Sequence, residues 1–151
     1  MKLFFKLPEQ SIVNSFNFIM QSRINQAVEK KRCLNCAQAV LCTYADLVGI
    51  SEETACSLAA PFGSGMATMD GTCGAIVGAG MVVGLATPDR AKARESMRFI
   101  MNNFQARNGA TQCRQLKGVD TKRVLRECSD CVADAAEFLE KVLIANPSKP
   151  L

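Results

Sequence analysis

The eight cysteines in this sequence of 151 residues are its side chains with the greatest capacity for chemistry. Thiolates bind soft metal ions and attack disulfides, whereas no histidine is present to serve as a ligand or proton shuttle. Any metal site must therefore be built on thiolates. The N-terminal sequence MKLFFKLPEQ lacks the apolar run of a secretory signal. We therefore expect a cytoplasmic protein whose cysteines are kept reduced and do not form a disulfide framework.

Two pairs of cysteines have the C-x-x-C spacing, Cys33 with Cys36 and Cys128 with Cys131. No histidine follows either pair, which excludes covalent haem attachment, and the βαβ setting of a thioredoxin-like site is not predicted. A four-cysteine zinc site assembled from both pairs is an alternative. However, about ninety residues separate the pairs, so the short spacing typical of zinc ribbons is missing.

Three cysteines each follow a good N-cap residue and precede an apolar helical run, which predicts each of them at the first position of a helix. They are Cys36 after Asn35, Cys73 after Thr72 and Cys131 after Asp130. Unpaired backbone N–H groups and the helix dipole stabilise a thiolate at this position. Cys113 is predicted on a loop beside Arg114, whose charge should act in the same direction. The alternative is that these cysteines are small apolar residues that fill the core.

Helical periodicity recurs along the chain, and no stretch shows the sustained alternation of a strand. We therefore predict an all-α fold: a compact bundle of five to six helices that forms a single domain over 1–151. The predicted helices span about 9–30, 35–48, 51–60, 72–86, 87–107 and 130–145. Between them we predict a glycine-rich loop at 61–71 and a loop at 108–120 that precedes a short helical turn at 120–125. The tail from 146 onward is expected to fray.

Two of the predicted helix starts have specific sequence signals. Asn35 with Gln38 three residues later is typical of a capping box. Thr87 followed by Pro88 has the pattern of an N-cap and a first-turn proline. These two signals predict where the second and the fifth helix begin.

The segment at 72–86, TCGAIVGAGMVVGLA, contains four glycines and no charge. It is too short to span a membrane, which needs about twenty apolar residues, so we predict a buried helix at the centre of the bundle. Each helical glycine costs roughly 1 kcal/mol relative to alanine, which suggests that a neighbouring helix approaches closely. Cys73, Gly80 and Gly84 fall on one face, and Gly74 and Gly78 form an adjacent stripe. We expect a close helix contact at Gly80.

The charge and aromatic content argue against two classes of partner. The net charge of +4 is modest and its basic residues are spread along the chain, while tryptophan is absent and tyrosine occurs once. We therefore predict no nucleic-acid or membrane binding. The expected partner is an unidentified redox protein, and homo-oligomerisation and enzymatic activity are left open by the sequence.

Four blocks of the chain resemble the family of redox proteins named for its pattern C, GCAxxG, C, C. They read NCAQAVL at 35–41, TCGAIVGAGMVVGL at 72–85, CRQLKG at 113–118 and CSDCVADAAEFL at 128–139. The resemblance covers about 30–139 and implies that the functional cysteines are Cys36, Cys73, Cys113 and Cys131. The GCAxxG string itself reads C-G-A-I-V-G here, with glycine on the other side of the cysteine.

The resemblance implies a redox protein in which these four cysteines gather and either bind a metal or exchange thiols and disulfides. The family's cysteine arrangement is also similar to the iron–sulfur part of a split-Soret cytochrome, which implies electron transfer through an iron–sulfur cluster. The alternatives are a structural zinc-binding domain that supports a protein partner, and a metal-free thiol oxidoreductase. For the last of these, the basic run at 30–32 could lower the pKa of Cys33, although such a run is usually a solvated helix end.

The other four cysteines fall outside the family pattern. We expect Cys42 and Cys56 to be core residues on their helices. Cys33 and Cys128 are candidates for resolving thiols.

Overall fold

Seven helices account for most of residues 22–147, the part of the chain that the computed structural model describes. No strand occurs in these residues, although Thr72 and Gln112 form an isolated β-bridge, so the all-α prediction is confirmed. The helices are α1 Ile24–Lys30, α2 Cys36–Tyr44, α3 Glu52–Ala59, α4 Gly74–Ala86, α5 Arg90–Asn108, α6 Cys113–Leu116 and α7 Cys128–Ala145. The turn Gly63–Met66 is treated as part of a loop because Ser64 and Gly65 have left-handed backbone angles.

The predicted capping box at the start of α2 is confirmed. The Gln38 backbone N–H donates to the Asn35 side chain, and the Gln38 side chain accepts from the Asn35 backbone. A 3-10 turn, Ala45–Val48, extends this helix to Gly49, where a φ of 72° ends it. Ser51 caps α3 by accepting a hydrogen bond from the Thr54 N–H.

Several predicted boundaries are wrong. Helix α5 begins at Arg90 and not after Thr87, because the Asp89 carboxylate accepts hydrogen bonds from two first-turn N–H groups. Helix α7 begins at Cys128, two residues before the predicted Asp130. One helical turn, α6, replaces part of the predicted loop at 108–120, and no helical turn forms at 120–125. The continuous helix predicted over about 9–30 is also wrong at Ser22 and Arg23, which are not helical, so that α1 begins at Ile24. The predicted part at 9–21 and most of the tail at 146–151 lie outside the described residues.

Helix α4 lies at the centre of the bundle, where it packs against α2, α5 and α7. The side chains of Ile76, Ala79 and Val82 are fully buried. Its exposed residues, Gly84 and Leu85, lie in its last turn, and Val77, Gly80 and Met81 are half-buried. In the part of the chain described here, no helix combines the length and the apolar character needed to cross a bilayer.

The glycines of α4 allow close helix packing, but on a different face from the one predicted. A Cβ built at Gly78 would lie 2.6 Å from the Ala37 carbonyl oxygen in α2, and one at Gly74 would lie 2.8 Å from the Phe62 carbonyl oxygen. At Gly80 the nearest atom would be the flexible Met97 sulfur at 3.1 Å, and none of residues 22–147 has an atom within 4 Å of a Cβ at Gly84. The close contact therefore joins α4 to α2 through Gly74 and Gly78.

Gly78→Ala should destabilise the fold by about 1–3 kcal/mol, because the added methyl group would press against the backbone of α2. Gly84→Ala is the matched control in the same helix, and it should be neutral or stabilising by up to about 1 kcal/mol because alanine favours the helix and the space is open. Denaturant unfolding under reducing conditions measures both changes. Equal effects of the two substitutions would contradict the close contact.

Candidate functional site: a cavity lined by cysteines

Five cysteines line one cavity of about 90 Å³. The ends of four helices meet there: Cys36, Cys113 and Cys128 are the first residues of α2, α6 and α7, and Cys73 directly precedes α4. All four cysteines predicted as site residues line this cavity, together with Cys128. The cationic side chains in its lining are Lys31, Lys117 and Arg126.

Two loops hold the cysteine-bearing segments together. The Cys113 N–H donates to the Gly71 carbonyl at 3.1 Å, and the Cys73 N–H donates to the Thr111 carbonyl at 2.8 Å. Gly65 has a φ of +58°, and a Cβ there would lie 2.6 Å from the Cys113 Cβ. Each of Cys73 and Cys113 is thus anchored to the loop that carries the other.

The loop at 63–71 is bent sharply. Left-handed backbone angles occur at four of its residues that are not glycine, namely Ser64, Met66, Ala67 and Met69. Such angles are costly for residues with a Cβ, and they cluster at functional sites in proteins. The bend brings the loop back to Arg114, whose backbone N–H donates to the Met69 carbonyl at 2.7 Å.

The predicted helix-start positions are correct for Cys36 and wrong for the other two cysteines. Cys73 is itself the N-cap of α4, so Thr72 lies outside the helix. Cys131 lies one turn inside α7, because Glu127 is the residue with extended backbone angles that precedes the helix. The first position of this helix, predicted for Cys131, is therefore occupied by Cys128.

Cys36 and Cys128 line the cavity together and shift each other's pKa in opposite directions. The Cys36 thiol and the Lys117 ammonium lower the pKa of Cys128 to about 5, and the charge of Lys31 acts in the same direction. The pKa of Cys36 is raised, first by Cys128 and then by burial. At neutral pH this pair therefore consists of a Cys128 thiolate and a Cys36 thiol.

Cys73 and Cys131 form a second pair that is more deeply buried. The hydrogen bond from Cys131 lowers the pKa of Cys73 despite burial, and the backbone N–H groups of Ala75 and Ile76 contribute further. The same hydrogen bond, with burial, raises the pKa of Cys131. The expectation that a helix N-terminus lowers the pKa is thus met at Cys73 and wrong at Cys36 and Cys131.

Cys113 is the fifth thiol at the cavity, and burial raises its pKa. The expectation that Arg114 would lower it is wrong, because Arg114 is bound to Asp70 at 2.7 Å and to Asp120 at 3.1 Å. Lys117, the residue directly after α6, is the cation from this part of the chain that acts on the cavity.

A comparison with known protein families gives one match. The model described as "Putative redox-active protein (C_GCAxxG_C_C)" matches residues 34–142. The chain belongs to the C_GCAxxG_C_C family. No curated protein and no solved structure matches it.

The four cysteines predicted as site residues do not account for the whole cavity. Cys128, predicted only as a candidate resolving thiol, lies at the cavity and is half-buried, while Cys33, the other such candidate, is exposed and absent from the lining. The sequence signal for Cys128 was its C-x-x-C spacing, which puts it on the same helix face as Cys131. Cys42 and Cys56 are separate from the cavity, and their sulfur atoms lie 2.7 Å apart.

The basic run at 30–32 is divided between structural and site roles. Lys30 pairs with Glu52 and Arg32 pairs with Glu29, while Lys31 lines the cavity. Interpreting the whole run as a solvated helix end therefore missed Lys31. The sequence offers no signal for this division, because it depends on which partners the fold brings near each side chain.

Arg126 is bound to a buried carboxylate that it shares with Arg107. Its guanidinium donates to both oxygens of buried Asp134, at 2.9 and 3.1 Å, and Arg107 donates to the same carboxylate at 2.9 Å. Since these two arginines face Asp134, Lys117 is left as the cation that is hydrogen-bonded to a cysteine.

The donor chemistry of the cavity fits a thiophilic metal, but the arrangement of the donors does not. Thiolates are the usual ligands of zinc and iron–sulfur clusters. In residues 22–147, however, no group of three or more Cys, Asp, Glu or His side chains is placed so that it could hold a metal ion. Four of the five cysteines instead shift each other's pKa in two pairs, Cys36 with Cys128 and Cys73 with Cys131.

Lys117→Gln should raise the pKa of Cys128 and slow its alkylation, because the ammonium group stabilises the thiolate. In the unsubstituted chain, Cys128 should react with iodoacetamide at nearly the same rate between about pH 6.5 and pH 8, since it stays a thiolate throughout. Mass spectrometry of the modified peptide gives the rate at Cys128. Lys92→Gln, on exposed α5 away from the cavity, is the control and should change nothing. A Cys128 rate that climbs roughly tenfold per pH unit in the unsubstituted chain would show an ordinary thiol and contradict the assignment.

Proposed function

We propose that this C_GCAxxG_C_C protein carries electrons by thiol–disulfide exchange with a redox partner, with Cys128 as the attacking thiolate and Cys36 as the resolving thiol. The observation that carries the proposal is the position of Cys128 at the cavity with Cys36 and Lys117, whose thiol and ammonium groups lower its pKa to about 5. A thiolate is the attacking species in this reaction, and a second thiol in contact with it can complete the exchange.

The exchange proceeds in two displacements. The Cys128 thiolate attacks one sulfur of a partner disulfide, forms a mixed disulfide and releases the other partner sulfur as a thiolate. Cys36 then attacks the Cys128 sulfur, its proton passes to that thiolate, and the second partner sulfur leaves as a thiolate that takes a proton from water. The products are a Cys36–Cys128 disulfide and a partner dithiol, so the partner gains the two electrons that the pair loses.

The inner pair can restore the outer pair by the same chemistry. Cys73 lies beside Cys36, because a Cβ at Gly74, the residue after Cys73, would lie only 3.3 Å from the Cys36 Cβ. Attack by Cys73 on the Cys36 sulfur breaks the Cys36–Cys128 bond and releases Cys128 as a thiolate. Attack by Cys131 on the Cys73 sulfur then releases Cys36, which takes the Cys131 proton, so the disulfide now joins Cys73 and Cys131. Cys73 is suited to this attack because its pKa is lowered. The cavity would then store up to four electrons in two dithiols.

Metal binding is the competing function, either as an iron–sulfur cluster for electron transfer or as a zinc site that supports a partner. The number of thiols around one cavity favours it, and the pairing of those thiols favours exchange. Anaerobic purification followed by metal analysis and a visible spectrum distinguishes the two. A cluster absorbs visible light, whereas a dithiol protein and a zinc protein are colourless.

Cys36→Ser should trap the reaction at its midpoint. When the reduced protein is treated with a low-molecular-weight disulfide, this variant should retain a mixed disulfide on Cys128 because the resolving thiol is gone. The unsubstituted chain should instead form a disulfide between Cys36 and Cys128. Intact-mass and peptide-mass measurements distinguish the two products.

Cys33→Ser is the matched control, since it removes the other member of the same C-x-x-C pair, and it should behave as the unsubstituted chain. Cys128→Ser should lose the fast reaction. Stoichiometric iron or zinc that is lost on Cys73→Ser would replace the proposal with metal binding. Unchanged exchange kinetics in Cys128→Ser would remove Cys128 from the role of attacking thiolate.

A further inference from the structure

We propose that Cys42 and Cys56 form a second, reversible disulfide site that fastens α3 to α2. Their sulfur atoms lie 2.7 Å apart, and the sulfurs of a disulfide are bonded at about 2.05 Å. Both residues are free thiols in this structure. Neither lines the cysteine cavity, so the site is separate from the two dithiols of the proposed function and does not depend on them.

The two thiols differ in their access to solvent. Cys42 is only 5% exposed, whereas Cys56 is half-buried on the outer helix α3. Burial, together with the hydrogen bond to Cys56, raises the pKa of Cys42 to about 12. An oxidant from solution therefore meets Cys56 first, and Cys42 is the protonated thiol held against it.

The oxidant that this site accepts is a low-molecular-weight disulfide. The Cys56 thiolate attacks one of its sulfurs and releases the other half as a thiolate. Cys42 then displaces the remaining half from the Cys56 sulfur, and its proton ends on a released thiolate. The other released thiolate takes a proton from water, so the small disulfide leaves as two thiols that carry both electrons, and the Cys42–Cys56 bond replaces its bond.

Helix α3 is anchored weakly enough for a disulfide to matter. Its fully buried side chains are only those of Ala55 and Ala59. Elements with little buried apolar surface open most readily in the native state. A covalent bond from Cys56 to Cys42 would join α3 to a buried residue of α2.

The same contact reaches the start of α2 at the cysteine cavity. Gln38 donates to the Cys56 carbonyl at 2.9 Å, and Asn35 donates to the Ala60 carbonyl at 2.9 Å. Asn35 and Gln38 are also the two residues of the capping box at the start of α2, on either side of Cys36. Fastening α3 would therefore hold the cap of the helix that carries Cys36.

The test uses the full chain with Cys128→Ser, which removes the attacking thiolate of the proposed function. The reduced protein is treated with oxidised glutathione, its remaining thiols are alkylated, and it is digested with trypsin and a glutamyl protease. Cleavage after Glu52 or Glu53 separates Cys42 from Cys56. We expect two peptides joined by a Cys42–Cys56 disulfide, and hydrogen exchange in α3 that is slower by roughly tenfold or more.

Two further variants identify the roles of the thiols. Cys42→Ser should stop at a glutathione adduct on Cys56, without slower exchange in α3, and Cys56→Ser should leave Cys42 unmodified. Cys33→Ser, which removes an exposed thiol elsewhere, should still form the pair.

A stable glutathione adduct on Cys56 beside a free Cys42, or alkylation of both thiols, would overturn the disulfide site. A Cys42–Cys56 bond without slower exchange in α3 would overturn its fastening role. This test uses the Cys128→Ser variant, so its outcomes do not depend on whether Cys128 is reactive. The disulfide site and the proposed function can therefore fail independently.

Discussion

The close contact between α4 and α2 is the constraint on which the cavity depends. Gly78 and Gly74 let the backbone of α4 lie against α2, where any larger side chain would meet the backbone at Ala37 or Phe62. This contact sets Cys36 and Cys73, one at the start of each helix, side by side. Glycine in a helix has an entropic cost. That cost is offset by the close approach of the two thiols, which a larger side chain at Gly74 or Gly78 would prevent.

The cavity then follows from the meeting of helix ends and from pairwise proton sharing. Two thiolates in contact repel each other, so in each pair the pKa of one thiol is lowered while that of the other is raised. Lys117 selects Cys128 as the thiolate of the outer pair, and backbone N–H groups reinforce Cys73 in the inner pair. The identity of the thiolate is thus decided by neighbours across the fold more than by position in a helix.

The sequence was sufficient for features that depend on local chemistry. The capping box at Asn35 and the central position of α4 were predictable because a cap and an apolar run are encoded within a few residues. The start of α7 was not, since Asp130 is as good a cap by type as any, and tertiary packing begins the helix at Cys128. The contact between Cys42 and Cys56 was equally out of reach, because it depends on how α3 folds back along α2.

The single proton shared by Cys36 and Cys128 has an electrochemical consequence. A dithiol in which both thiols are protonated loses two protons with its two electrons, so its midpoint potential falls by about 59 mV per pH unit. With Cys128 already ionised above about pH 5, oxidation of this pair would release only one proton. Its potential would then fall by about 30 mV per pH unit. The reducing power of the outer pair would therefore vary with acidity half as steeply as that of an ordinary dithiol.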